Sequence, residues 1–213
     1  MVTAEKNTLF IPGPAGKLEA LSENFADAPK GVLLVCHPHP LHGGTMHNKV
    51  VHTLARAGHD LGLATLRFNY RGIGESEGSY DEGNGETDDL LALIDWLDER
   101  FPAIPLWLAG FSFGAYVAMR ASTLRPVQQL ITVAPAVNLV RFEGLKIPDC
   151  PWLLLQGTED EIVPFNEVVD WVGKLTTPPE TIYFDGVGHF FHGQLVTLRQ
   201  TLVDKLSVRA GVL

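Results

Sequence analysis

The sequence predicts an α/β fold with a mostly parallel sheet and helices on both faces. Short β-rich apolar runs alternate with longer segments of helical period, and some of those runs are apolar throughout, as strands buried on both faces are. Size agrees: 213 residues suit one α/β domain, expected to span 1–213, with enough chain to bury a substantial core. Apolar residues make up 46% and charged residues 19%, which excludes a disordered or collagen-like chain.

Each element follows from its local pattern. Leu9–Pro12 and Leu18–Phe25 read as an antiparallel hairpin. Gly31–Cys36 is a continuous apolar run ending at His37-Pro38, the pattern of a central strand. Asn48–Leu61 follows as a helix, with Val51, Leu54, Ala55 and Leu61 near one face. Leu63–Tyr70 is the next strand, closed by Arg71-Gly72. Thr87–Phe101 is the clearest helix: Leu90, Leu91, Ile94 and Leu97 share a face, and acids at its start complement the helix dipole. Pro105–Phe111 is strand-like and Gly114–Ser122 helix-like. Strands over Leu130–Ala134 and Pro151–Gln156 follow, then a helix over Phe165–Leu175, a strand over Thr181–Asp185 and a closing helix over Gln194–Val208. Only a short connection separates Ala134 from Pro151, so no large cap is expected there. In open sheets of this kind, sites gather at the carboxyl ends of the strands.

Charge and cysteine usage narrow the function. Lys and Arg number 16 against 25 Asp and Glu, a formal net charge of −9 that works against nucleic-acid and anionic-membrane partners. Cys36 and Cys150 show neither zinc-site nor redox-pair spacing. Met1–Gly16 lacks the basic and apolar regions of a secretory signal, and no apolar run has the length of a membrane span. A cytoplasmic protein is expected.

Gly110-Phe111-Ser112-Phe113-Gly114 is a G-x-S-x-G between an apolar strand and an amphipathic helix. A serine on such a sharp turn projects its hydroxyl above the sheet, and only small residues fit two places before and after it. The following helix points free N–H groups at the same spot, where they stabilise a developing oxyanion. Gly74-Glu75-Ser76-Glu77-Gly78 matches the same pattern but fails on context, because a polar loop follows and Glu75 and Glu77 would oppose a forming alkoxide. Gly72-Ile73-Gly74 onward also approaches a dinucleotide fingerprint, with the third glycine, Gly78, one residue late. This stretch reads as a loop at the rim of the site.

A nucleophilic serine needs a base, and the base an orienting acid. Downstream of Ser112 stand only His189 and His192, and His189 is favoured because it follows the strand Thr181–Asp185 directly. Asp160, past the strand Pro151–Gln156, is the chosen acid and Glu161 the second; Glu159 and Glu161 otherwise read as solvated charges, and Asp185 as structural. The alternative position, Ala134–Asn138, offers no carboxylate. His37, His39, His42, His47 and His52 cluster in sequence, but their spacing and the absence of an acid among them favour structural and rim roles over metal binding. No cofactor and no metal are expected.

The order Ser112, Asp160, His189, each just past a strand, resembles the α/β-hydrolase superfamily. The strings His37–Met46, Phe68–Gly78 and Gly110–Gly114 are similar to those of small lidless bacterial serine hydrolases related to dienelactone hydrolases and carboxylesterases. Dienelactone hydrolases carry cysteine at the nucleophile position, where this chain has Ser112, so the resemblance implies an esterase rather than a dienelactone hydrolase. It implies hydrolysis of small carboxylic esters through an acyl-enzyme, with thioester or amide cleavage and acyl transfer as alternatives on the same triad, and a non-catalytic binding protein as the rival class. The oxyanion hole is expected at the backbone N–H of Phe113 plus that of His39, the residue two after the loop histidine, or of Leu41, since Pro38 and Pro40 have none. The expected partner is a small-molecule ester, with a homodimer left open.

Overall fold

The central parallel strands are short and buried on both sides, so they need helices above and below them. The computed structural model describes residues 6–25, 29–140, 142 and 144–211. Residues 1–5, 26–28, 141, 143 and 212–213, included in the expected domain 1–213, lie outside them. The strands are β1 (Lys6–Gly13), β2 (Gly16–Glu23), β3 (Val32–Cys36), β4 (Ala64–Phe68), β5 (Leu106–Phe111), β6 (Gln129–Val133), β7 (Trp152–Gly157) and β8 (Glu180–Phe184). The helices are α1 (Lys49–Asp60), α2 (Asn84–Arg100), α3 (Phe113–Ser122), α4 (Phe165–Gly173) and α5 (Leu195–Leu206).

One eight-stranded sheet runs in the order β1-β2-β4-β3-β5-β6-β7-β8. β1 and β2 form the expected hairpin, β2 joins β4 antiparallel, and the remaining pairs are parallel. Strand alternation divides the core. Leu33, Val35, Trp107, Ala109 and Phe111 face α1 and α5, whereas Val32, Leu34, Cys36, Leu106 and Leu108 face α2, α3 and α4. The apolar faces read from sequence point the same way: Leu54 of α1, and Leu90, Ile94 and Leu97 of α2, are all buried. No cap interrupts the described residues between β6 and β7, which run through turns.

The order of connection fixes where a site can form. The chain leaves β3 for β4 on one side and leaves β5 for β6 on the other, so the loops after β3 and β5 diverge. That divergence opens a crevice at the carboxyl ends of two adjacent strands, the usual place for a ligand in an open α/β sheet. The register sets Cys36 beside Gly110, which brings the His37 loop level with Ser112.

Boundaries differ from the sequence reading for identifiable reasons. β4 stops at Phe68 rather than Tyr70 because the Tyr70 N–H turns to the His37 ring (3.2 Å). α2 begins at Asn84, three residues earlier than expected, because the Glu86 carboxylate accepts the N–H groups of Gly83 (2.7 Å) and Asp81 (2.9 Å) as a cap. Pro40–His42 forms one short 3₁₀ turn that the sequence reading missed.

The acids at the start of α2 do more than complement a dipole. Asp89 is fully buried, and its carboxylate grips the Arg71 guanidinium (Nη2 at 2.7 Å, Nε at 3.1 Å) and accepts the Arg71 backbone N–H (3.0 Å). This pair fastens the loop after β4 to the helix that follows it. Asp89→Ala should therefore leave a largely desolvated cation unpaired and cost about 3–5 kcal/mol. Urea unfolding of the two proteins measures this, and a loss below about 1 kcal/mol would mean that solvent replaces the carboxylate.

Candidate active site

Ser112 sits between β5 and α3 with φ 55° and ψ −116°, outside the conformations that a non-glycine residue adopts at ease. Two backbone approaches enforce that turn. A Cβ on Gly110 would collide with the Gly114 carbonyl, and one on Gly114 would collide with the carbonyl oxygens of Cys36 and His37. The Ser112 N–H is held by the Val133 carbonyl (2.9 Å), and the Ser112 carbonyl accepts from Ala115 (3.0 Å). Its hydroxyl makes no hydrogen bond among the described residues, although the residue is only 5% exposed. Phe113 opens α3, so its N–H has no partner four residues back within the helix.

His189 and Asp160 arrive from two further strand ends and meet. The His189 ring is buried against Phe111 (centroids 4.9 Å apart), and its Nδ1 lies 2.8 Å from Asp160 Oδ2. Asp160 Oδ1 accepts the N–H groups of Ile162 (2.9 Å) and Val163 (2.7 Å), and Oδ2 also accepts from Gln156 Nε2 (3.0 Å). Burial alone would push this carboxyl up. The bond and charge of His189, with the two backbone donors, prevail and hold it below the ordinary carboxylate range. Asp160 is thus supplied with donors from three directions, and it fixes the proton of the neutral imidazole on Nδ1.

The neighbouring acids separate cleanly. Glu161 is exposed, as read from sequence, yet it is not merely a solvated charge. Its Oε2 accepts the backbone N–H of His189 (3.0 Å) and so anchors the loop that carries the imidazole. Asp185 accepts from Thr158 Oγ1 (3.3 Å) at the surface. His192 is exposed and stacks on Phe190 (centroids 5.7 Å apart), away from Asp160's bonds. Gln156 was missed by the sequence reading; the signal available was a lone polar side chain at the end of the run Trp152–Leu155.

The second glycine-flanked serine is explained by its bonds. Ser76 is buried; its hydroxyl donates to the Asn69 carbonyl (2.7 Å) and accepts from the Glu19 N–H (2.9 Å). It is a fastener between β2 and the loop after β4.

The loop after β3 faces Ser112 across the crevice. His37 is fully buried: Nδ1–H donates to the Pro38 carbonyl (2.7 Å), and Nε2 accepts the Tyr70 N–H (3.2 Å). Burial drives its pKa down to about 3, against a small opposing effect of the Pro38 carbonyl, so the ring is neutral at ordinary pH. Leu41 N–H bonds to His39 Nδ1 (3.2 Å), and the Leu41 side chain is 67% exposed. Of the two expected oxyanion donors on this loop, only the His39 N–H remains free of a partner among the described residues. Of the other histidines expected in structural and rim roles, His42 packs edge-on against His39 and is exposed, as are His47 and His52. No group of three or more His, Cys, Asp or Glu among the described residues is placed to hold a metal.

Known proteins share this fold. The family model described as serine aminopeptidase S33 (Hydrolase_4) matches residues 27–147. An α-β serine hydrolase homologue from Coxiella burnetii has a TM-score of 0.90 and 45% identity, over 97% of this chain and 99% of that one. An α/β serine hydrolase without a lid from Xanthomonas campestris has a TM-score of 0.89 and 40% identity, over 97% and 95%. An uncharacterized protein of Rickettsia prowazekii is 35% identical over 208 residues, covering 93% of this chain and 87% of the relative.

The neutral, buried His37 has a consequence for stability. Its folded pKa of about 3 lies below the unfolded value of about 6.5, so the unfolded chain binds the extra proton between those limits. Stability is then full above about pH 6.5 and falls as pH drops, by up to about 1.4 kcal/mol per unit from this group. His37→Gln should be less stable at pH 7 but show a shallower decline between pH 6 and 4, measured by guanidinium unfolding. Parallel declines would show that His37 is not the group responsible.

Proposed function

Because the chain belongs to the serine aminopeptidase S33 family of α/β serine hydrolases, we propose that it hydrolyses small carboxylic esters through a Ser112–His189–Asp160 triad. The observation that carries this reading is the buried 2.8 Å bond between His189 Nδ1 and Asp160, which leaves Nε2 as the ring's basic nitrogen at the sheet edge where Ser112 stands. In the first step His189 Nε2 takes the Ser112 proton as Oγ attacks the ester carbonyl. The N–H groups of Phe113 and His39 hold the oxyanion, and the imidazolium returns its proton to the leaving alkoxide. Water, deprotonated by the same nitrogen, then releases the acid from Ser112. Asp160 stays ionised throughout and stabilises the imidazolium.

Amide cleavage is the second reading, favoured by the aminopeptidase description of the family. Assays with p-nitrophenyl butyrate and alanine p-nitroanilide separate the two. A fluorophosphonate probe on Ser112 separates either from a binding protein that kept only the fold.

Ser112→Ala should abolish turnover, whereas Ser76→Ala should keep most of it while lowering stability through two lost hydrogen bonds. Asp160→Asn should lose on the order of 10²–10³ in kcat by permitting the wrong imidazole tautomer. Glu161→Gln retains an acceptor for the His189 N–H and should stay within a few-fold. A Glu161→Gln variant more impaired than Asp160→Asn would transfer the orienting role to Glu161. Steady-state kinetics on p-nitrophenyl butyrate decides all four.

With no cap over the crevice, a long acyl chain finds little apolar wall, and an added CH₂ gains its roughly 0.8 kcal/mol only where it is buried. Catalytic efficiency across p-nitrophenyl esters from two to twelve carbons should peak among the short chains. A steady rise to twelve carbons would overturn the open-site reading.

A further inference from the structure

Near the first turn of α3, a cleft of about 430 Å³ is lined by Tyr80, Glu82, Asn84, Tyr116, Leu139 and Val140. Tyr116 is four residues past Ser112 on α3, and the rings of Tyr80 and Tyr116 flank that of Phe113 (centroids 6.1 and 6.3 Å away). Two larger cavities, about 460 Å³ each, open around Pro126 and Val127 at the opposite end of the sheet.

The hydrogen bonds of this cleft all run one way. His39 Nδ1 accepts the Leu41 N–H (3.2 Å), so the proton of the neutral ring is on Nε2, which donates to the Tyr80 hydroxyl (3.2 Å). The Tyr80 oxygen therefore acts as an acceptor toward the protein, and its own proton is uncommitted. Arg120 does the same for the other wall. A guanidinium only donates, and Nη1 lies 3.3 Å from the Tyr116 hydroxyl and 3.0 Å from Asn84 Oδ1. The Tyr116 proton and the Asn84 amide protons are left without acceptors among the described residues. Three side chains of one cleft thus have their oxygens satisfied by the protein and their protons free. Among the described side chains that line the cleft, only Glu82, exposed, offers a carboxylate as acceptor.

We propose that this cleft is the acyl subsite and that it selects acyl groups carrying a second, uncharged oxygen acceptor, such as an ester or amide carbonyl, a few carbons from the reacting one. The inference rests on the esterase reading and deepens it. The direction follows from the proton path and the strand order: the alcohol leaves toward His189, which follows β8, and the acyl portion extends to the other side of β5, where the loop after β4 brings Tyr80. An uncharged acceptor is favoured over a carboxylate because Glu82 lines the cleft and the chain carries a net charge of −9.

The test compares p-nitrophenyl esters of monomethyl glutarate and of heptanoic acid, which have equal chain length and the same leaving group. The parent should prefer the glutarate about ten-fold in kcat/KM, and Tyr80→Phe and Tyr116→Phe should each reduce that preference about five-fold. p-Nitrophenyl hemiglutarate, with a free carboxylate, should be a poorer substrate than its methyl ester. Equal efficiency on glutarate and heptanoate in the parent overturns the subsite, as does an unchanged preference in both variants; a hemiglutarate preferred to its methyl ester overturns the uncharged selectivity. Dimethyl glutarate, titrated by NMR into the parent and the Tyr80→Phe/Tyr116→Phe double variant, reads the cleft without turnover, and the double variant should bind at least five-fold more weakly. Weaker binding without turnover of any ester would sink the esterase reading and keep the cleft. Turnover without discrimination would do the reverse.

Discussion

The carboxyl edge of this sheet is organised by one steric constraint: the first turn of α3 lies directly on the carbonyl groups that end β3. A side chain on Gly114 would strike the oxygens of Cys36 and His37, and one on Gly110 would strike Gly114 itself. With both positions reduced to hydrogen, the chain can turn at Ser112 with a positive φ and start a helix at once. The same contact brings the unpaired N–H at the start of α3 opposite the loop that carries His39. Strain at Ser112 is tolerated because the turn is held from three sides, by Val133, Ala115 and the end of β3.

Three histidines illustrate how environment divides one side chain among different tasks. His37 is sealed and neutral, and it joins the ends of β3 and β4 by donating with one nitrogen and accepting with the other. His39 is half-buried. Burial, and then the charge of His42, depress its pKa, and the Leu41 N–H decides which nitrogen carries its proton. His189 has a carboxylate on Nδ1 instead of a carbonyl, and in the proposed mechanism it is the one that takes the Ser112 proton. Ring chemistry is identical in all three; the partner on Nδ1 separates them.

The acidic residues divide in the same way. Glu86 caps a helix, Asp89 holds Arg71, Asp160 orients a histidine, and Glu161 holds the backbone of the loop that carries it. All four sit at or near the carboxyl edge, so a site that contains many carboxylates presents few of them to a substrate. What faces the cleft near the first turn of α3 is a set of donors whose polarity is set by His39 and Arg120, neither of which lines it.

The sequence by itself determined the layering and the candidate triad. Apolar runs without alternation required a parallel sheet covered on both faces, and helical spacing at Leu90, Ile94 and Leu97 fixed a buried face without reference to any other element. Ser112 was legible because strand, glycines and helix are contiguous in the chain, and Asp160 and His189 because each follows its own strand directly. Only the tertiary structure decided the rest. Ser76 and Ser112 share a motif, and what separates them physically is that Ser76 is bonded to the backbone of Glu19 and Asn69, contacts 57 and 7 residues away in the chain. The bond from His39 to Tyr80, the burial of Asp89 and the grip of Glu161 on His189 likewise depend on partners brought together by strand order. Local pattern carries information about backbone conformation and burial; hydrogen-bond partners across the sheet edge are set by topology, which no short window of sequence contains.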